Sequence, residues 1–192
     1  MRYGRILATL LGCAFIVLPA YGKPTPVTLI MSDIEALQVN ERSDDELYLA
    51  VSVHHSNGDF ESYTMPGKRQ PNLGHYAARF PANPPRQPML YWHAKALKGV
   101  KNIALWQGEI DDKHGAEVVV SLIEHDMPPW NLDDLIGSVK FTVGKRAGHM
   151  SAEWRLLSAD AVSSKGKLNL GKRQSFTLKD GEGAYKLTLQ LK

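Results

Sequence analysis

Alternation with a period of two is the feature that most restricts how this chain can fold. In ELYLAVSVHH, Leu47, Leu49, Val51 and Val53 take every second position, and Tyr185, Leu187, Leu189 and Leu191 do the same in AYKLTLQL. Successive side chains of a strand point to opposite faces, so each segment reads as a strand with one apolar and one wet face, the habit of an antiparallel sheet. PVTLIMSDIEAL opens in the same way with Val27, Leu29 and Met31. FESYTMP, NIALWQGEI, AEVVVSLIEHD, GSVKFTV, EWRLL and QSFTLK read as further strands. Ser56-Asn57-Gly58-Asp59 is a strong hairpin turn, because Asn-Gly tolerates the positive φ that such turns need. Asp112 to Gly115 reads as a second turn, and Lys95 to Lys101 as one turn of helix. With no long helical pattern, the expectation is an all-β chain, a single antiparallel β-sandwich of about eight strands over residues 23–192. Residues 67–88 carry five prolines and little periodicity. They read as a proline-rich insertion, a long surface loop or a covering segment.

The first 22 residues differ from the rest. Arg2 and Arg5 precede the uncharged run ILATLLGCAFIVL, then Pro19 and Ala20-Tyr21-Gly22. A basic start, a short apolar stretch and small residues two apart make a secretory signal peptide, residues 1–22, cleaved after Gly22. Export to a periplasm or secretion beyond it follows. Leu10-Leu11-Gly12-Cys13 offers a lipoprotein variant, in which Cys13 would carry the lipid. Cys13 is the only cysteine. The remainder therefore excludes a disulfide scaffold, a thiolate zinc site and a thiol enzyme.

Charge is split along the chain. Residues 23–139 hold ten basic and sixteen acidic side chains, whereas residues 140–192 hold eleven basic and four acidic. That is a dipolar molecule rather than a uniformly basic nucleic-acid binder. The most informative stretch is SLIEHDMPPWNLDDLIGSVKF. Glu124 and Asp126 sit two apart as a strand ends, and Asp133 and Asp134 stand where the next one begins. The expectation is four carboxylates gathered at one rim, whose repulsion calcium would relieve with its six to eight oxygen ligands. NERSDDELYLAV sets Asn40, Glu41, Asp44, Asp45 and Glu46 before another strand, a second acidic loop that could share that end. Solvation of loop tips, and capping of a turn by Asp133, are the plain alternatives for these acids.

In these two loops the chain resembles the C-two domain, the conserved-region-two module of protein kinase C and synaptotagmins. That family is an eight-stranded β-sandwich holding calcium between apical loops. Its third loop runs from an acidic pair two apart to an aspartate before a hydrophobic-Ile-Gly step, and Glu124, Asp126 and Asp134 match those positions. Its first loop ends Ser-Asp-Pro-Tyr, of which Ser43-Asp44-Asp45-Glu46-Leu47-Tyr48 is a loose version. The resemblance implies Asp45 or Glu46 as a first-loop ligand, with Asn40 the weaker earlier one. Together with Asp133 these residues make the candidate metal set: Asp45, Glu46, Glu124, Asp126, Asp133 and Asp134. Glu124 departs from the family's aspartate, and the proline of the first loop is absent.

Catalytic signatures are lacking: no G-x-S-x-G, no H-E-x-x-H and no phosphate-cradling glycine loop occur. His54 and His55 are neighbours and so face opposite sides of a strand, and His125 faces away from Glu124 and Asp126. Trp106 and Trp154 read as core. Trp130, after two prolines at a loop tip, reads as a contact with a protein partner or membrane, or as packing over its own loop. The leading expectation is an exported, non-catalytic binding module, with calcium as its cofactor and a protein or an anionic membrane surface as its partner. The alternative is a periplasmic immunity or inhibitor protein neutralising a secreted toxin, its acidic surface occupying a basic active site. A hydrolase with its site in residues 67–88 is a third reading.

Overall fold

The computed structural model describes residues 23–39, 44–67, 90–125, 133–146, 148–157, 164–181 and 183–192. Over these residues the chain is an all-β sandwich of two antiparallel sheets. The strands are β1 Thr25–Gln38, β2 Glu46–His55, β3 Phe60–Met65, β4 Trp92–His93, β5 Lys101–Ile110, β6 Ala116–Glu124, β7 Asp134–Arg146, β8 His149–Leu157, β9 Lys165–Asn169, β10 Arg173–Lys179 and β11 Ala184–Leu191. Four form one sheet in the order β10-β11-β1-β5. The other runs β3-β2-β6-β7-β8-β9, with β4 added to β2. The first and last described strands, β1 and β11, therefore lie side by side, with Leu29 opposite Leu191.

The two-residue pattern explains which side chains meet between the sheets. Leu47, Leu49, Val51 and Val53 of β2 are buried, as are Val118, Val120 and Leu122 of β6 and Tyr185, Leu187, Leu189 and Leu191 of β11. Each such side chain contributes roughly 1.5–3 kcal/mol of burial. In β1 the alternation holds through Val27, Leu29 and Met31, then breaks at a register shift between Met31 and Asp33. Ile34 becomes the next buried apolar residue. An extra residue at such a bulge reverses the parity of all that follow.

Two tyrosines tie the sheets together. Tyr63 of β3 donates its hydroxyl to the Leu105 carbonyl of β5, and Tyr185 of β11 donates to Asp45, just before β2. Two tryptophans lie over glycines: a Cβ on Gly108 would stand 2.4 Å from Trp106 Cζ2, and one on Gly166 would stand 2.5 Å from Trp154 Cζ2. Trp106 is buried, and the half-buried Trp154 packs on the core with its ring edge-on to Phe176 at 5.1 Å.

The strand count exceeds the expected eight. β4 is two residues long and β9 buries only Leu168, so neither leaves a period to read. The helical turn is a 3-10 helix over Ala94–Gly99, ending two residues before the expected Lys101 because Lys101 is already the first residue of β5. The turn before β6 is nucleated by Asp111, whose Oδ1 accepts from the Lys113 and His114 N–H groups at 2.7 Å each. Residues 1–22 with Cys13, and 68–89 of the proline-rich segment, lie outside the described residues. Among the described residues no helix is long and apolar enough to cross a membrane.

Candidate functional site at the acidic rim

Pairing of β2 with β6, and of β6 with β7, brings the two acidic segments to one end of the seven-stranded sheet. Leu47 stands opposite Glu124, and Glu124 opposite Asp134. The His125 N–H donates to the Glu46 carbonyl at 2.7 Å. Asp45, Glu46, Glu124, Asp133 and Asp134 thus share a rim, although the chain separates the first two from the rest by the whole of β3 to β6.

These carboxylates do not converge on one point. Glu124 continues the inward face of Val118, Val120 and Leu122, and it is buried with Asp45, which is 1% exposed. Tyr185 lies against this inner pair. Burial pushes its phenol pKa upward, the hydrogen bond to Asp45 adds to that, and the charges of Asp45, Glu124 and Asp180 add further. Asp133 is on the other side of the sheet. Register explains the split: with Glu124 opposite Asp134, the next position pairs His125 with Asp133, and neighbouring positions on a strand point oppositely. The His125 Nδ1–H donates to Asp133 Oδ1 at 2.9 Å, because an ionised carboxylate only accepts. Tyr48, outward between the buried Leu47 and Leu49, donates to Asp133 Oδ2 at 2.8 Å. The Tyr91 ring stacks on His125 with centroids 4.4 Å apart. Burial, then the Asp133 hydrogen bond and charge, hold the Tyr48 phenol well above its usual pKa. Tyr91 is raised as well, by burial and by the charges of Glu46 and Asp133.

Of the four acids expected at one rim, Glu124, Asp133 and Asp134 lie there, with Glu124 and Asp133 on opposite faces of the sheet. Among the described residues no three Asp, Glu, His or Cys side chains are grouped to hold a metal ion. Glu46 is half-buried and Asp134 exposed at the rim. Asp44 accepts from the Lys95 N–H at 2.9 Å, and Asp45 accepts through its carbonyl from the Ala94 N–H at 2.9 Å, so the 3-10 helix is anchored to the first acidic loop. Asp126, Trp130, Asn40 and Glu41 lie outside the described residues. Sequence reading missed Tyr48, Tyr91, Tyr185 and His125 as partners of the acids. For His125 the signal exists once the β6–β7 register is fixed, since Asp133 is then its neighbour.

What the arrangement supplies chemically is fixed negative charge. The hydrogen bond between His125 and Asp133 joins the residue that follows β6 to the residue that precedes β7. Asp45 and Glu124 sit buried beneath the rim, while Glu46 and Asp134 reach solvent. No protein-family model matches the chain, and no curated protein matches it.

Proposed function

We propose that this chain is a non-catalytic binding module acting outside the cytoplasm, in a periplasm or as a secreted protein, whose recognition surface is the acidic rim. The observation that carries this reading is the register that seats Glu46, Glu124 and Asp134 at one end, with Asp133 pinned beside them by Tyr48 and His125. A surface of preset carboxylates loses little side-chain entropy on binding and steers a cationic partner.

Two kinds of positive charge suit it. In the C-two-like reading, calcium is held by Asp126 with Glu46 and Asp134, and Trp130 meets a protein or an anionic membrane. In the inhibitor reading, the rim itself occupies the basic active site of a toxin, as an immunity protein would. The division of Asp45, Glu124 and Asp133 between two faces, with Asp45 accepting from Tyr185 and Asp133 from Tyr48 and His125, favours the second, because the acceptors of Asp45 and Asp133 already have protein partners. Calorimetric titration with calcium separates them. Heat that disappears in Asp126→Ala and Asp134→Ala supports the metal, and its absence, with capture of a basic exported protein lost in Asp134→Lys, supports the inhibitor. Failure of the wild-type protein to bind calcium, an anionic vesicle or any basic exported protein overturns the binding-module reading.

A further inference from the structure

At the end of the sandwich opposite the acidic rim lies a groove with the reverse polarity. It has a volume of about 730 Å³ and is lined by Lys145, Arg146, His149 and Lys167, with Thr25 and Asn169 beside them. Strand direction sets its place: β7 leaves the rim at Asp134 and reaches this end at Arg146, where β8 turns back. Arg146 stands opposite His149 across that turn, and Ser151 stands opposite Asn169 on β9. Lys145 crosses to the other sheet, donating to Thr25 Oγ1 at 3.2 Å and to the Lys23 carbonyl at 3.4 Å.

Among the described residues no carboxylate lines the groove. Two cations elsewhere are paired: Lys140 with Glu117 at 2.8 Å, and Lys186 with Glu35. Among the described residues, Lys145, Arg146, His149 and Lys167 make no ion pair. Three fixed cations around one concavity repel one another, and a cleft lined by a single sign of charge concentrates the opposite ion. The remaining lining suits an organic phosphate. Hydroxyl and amide groups of Thr25 and Asn169 supply neutral polar contacts, Met150 and Leu170 an apolar contact, and the volume falls in the range of small-molecule sites. Arginine gripping in a bidentate mode and lysine acting as a point charge are the usual means of holding phosphate.

We propose that this groove binds a small phosphate-bearing polyanion. The same chemistry is presented by free phosphate compounds and by phosphorylated lipid headgroups, and two arms of one experiment tell them apart. Tripolyphosphate is titrated into the full chain by calorimetry, and phosphatidylglycerol vesicles are tested by co-sedimentation. The expected result is saturable binding at one site that weakens as salt rises, with affinity lowered roughly tenfold by Arg146→Gln and again by Lys167→Gln. Lys186→Gln, whose cation is remote and paired, leaves binding unchanged. Vesicle binding that tripolyphosphate displaces assigns the headgroup; tripolyphosphate binding without vesicle binding assigns the free compound. The proposal is overturned if tripolyphosphate does not saturate, or if Arg146→Gln/Lys167→Gln binds it as the wild type does. Because Asp134 is at the other end, its Asp134→Ala variant binds tripolyphosphate normally, so this test stands or falls apart from the rim.

Discussion

Tyr185→Phe removes a single oxygen from the interior, and the geometry around it sets the size of the effect. The Tyr185 hydroxyl donates to Asp45, whose side of the sandwich is closed to solvent, with 1% of the residue exposed. Tyr185 itself is fully buried. The substitution leaves ring packing intact, so the cavity term is small and the loss is that of a hydrogen bond to a charged acceptor, about 1.5–3 kcal/mol. In a domain of this length each kcal/mol moves the melting temperature by roughly 2–4 °C, which gives a fall of about 3–12 °C. Urea denaturation should show a lower midpoint with an unchanged slope, since the surface exposed on unfolding is the same. The Asp45→Asn background supplies the control. There the acceptor is neutral, so the same Tyr185→Phe change should cost only about 1 kcal/mol. A Tyr185→Phe variant within about 0.5 kcal/mol of the parent would show that the tyrosine does not stabilise the buried carboxylate.

Alkaline pH should unfold the protein steeply. Burial and nearby carboxylates raise Tyr48 and Tyr185, and burial raises Tyr63 to about 12. The unfolded chain releases its phenolic protons from about pH 10 while the folded chain keeps them. This stabilisation is fully present below that pH and is lost as pH rises toward the folded values, by up to about 1.4 kcal/mol per pH unit for each tyrosine. Urea midpoints that stay flat from pH 9 to about 11 would contradict it. At the other extreme, hydrogen bonds from the His114 ring and from the Lys113 and His114 N–H groups hold Asp111 down to about 2. Its contribution is present above the usual carboxylate range and is lost as pH falls through about 2; carboxyl NMR should find Asp111 among the last acids to protonate, and His114→Ala should raise it. Gly108→Ala should destabilise by about 1–3 kcal/mol, because the new methyl collides with a ring that the core holds in place. Gly166→Ala should cost less, since Trp154 is only half-buried and can tilt outward; equal melting temperatures for the two variants would refute the contrast.

Legibility in the sequence followed the strength of each local signal. β2 and β11 are plain because alternation leaves one register that buries Leu47, Leu49, Val51 and Val53, and Tyr185, Leu187, Leu189 and Leu191. β1 is plain only as far as Met31, where a bulge that no composition marks reverses the parity. β9 is invisible because KGKLN owes its place to pairing with β8, and β4 because two residues carry no period. At the rim, the meeting of the two acidic loops was readable in outline, since both adjoin strands of obvious pattern. The direction of each acid was not. It depends on a register in which Asp133 falls beside His125 rather than on the side of Glu124, and single-strand parity does not reveal pairing between strands. Tyr185 reads as an ordinary core residue until Asp45, far away in sequence, is found beneath its hydroxyl.

The two tyrosine ties run in opposite directions, one donated by each sheet, and this has a mechanical outcome. Sliding one layer over the other would break Tyr63 from Leu105 and Tyr185 from Asp45 together, so the two ties oppose shear between the sheets. Strands of about ten residues span roughly 30 Å, which fixes the gap between the sandwich's negative and positive poles. Whatever grips one pole is therefore displayed at constant distance and angle from whatever grips the other.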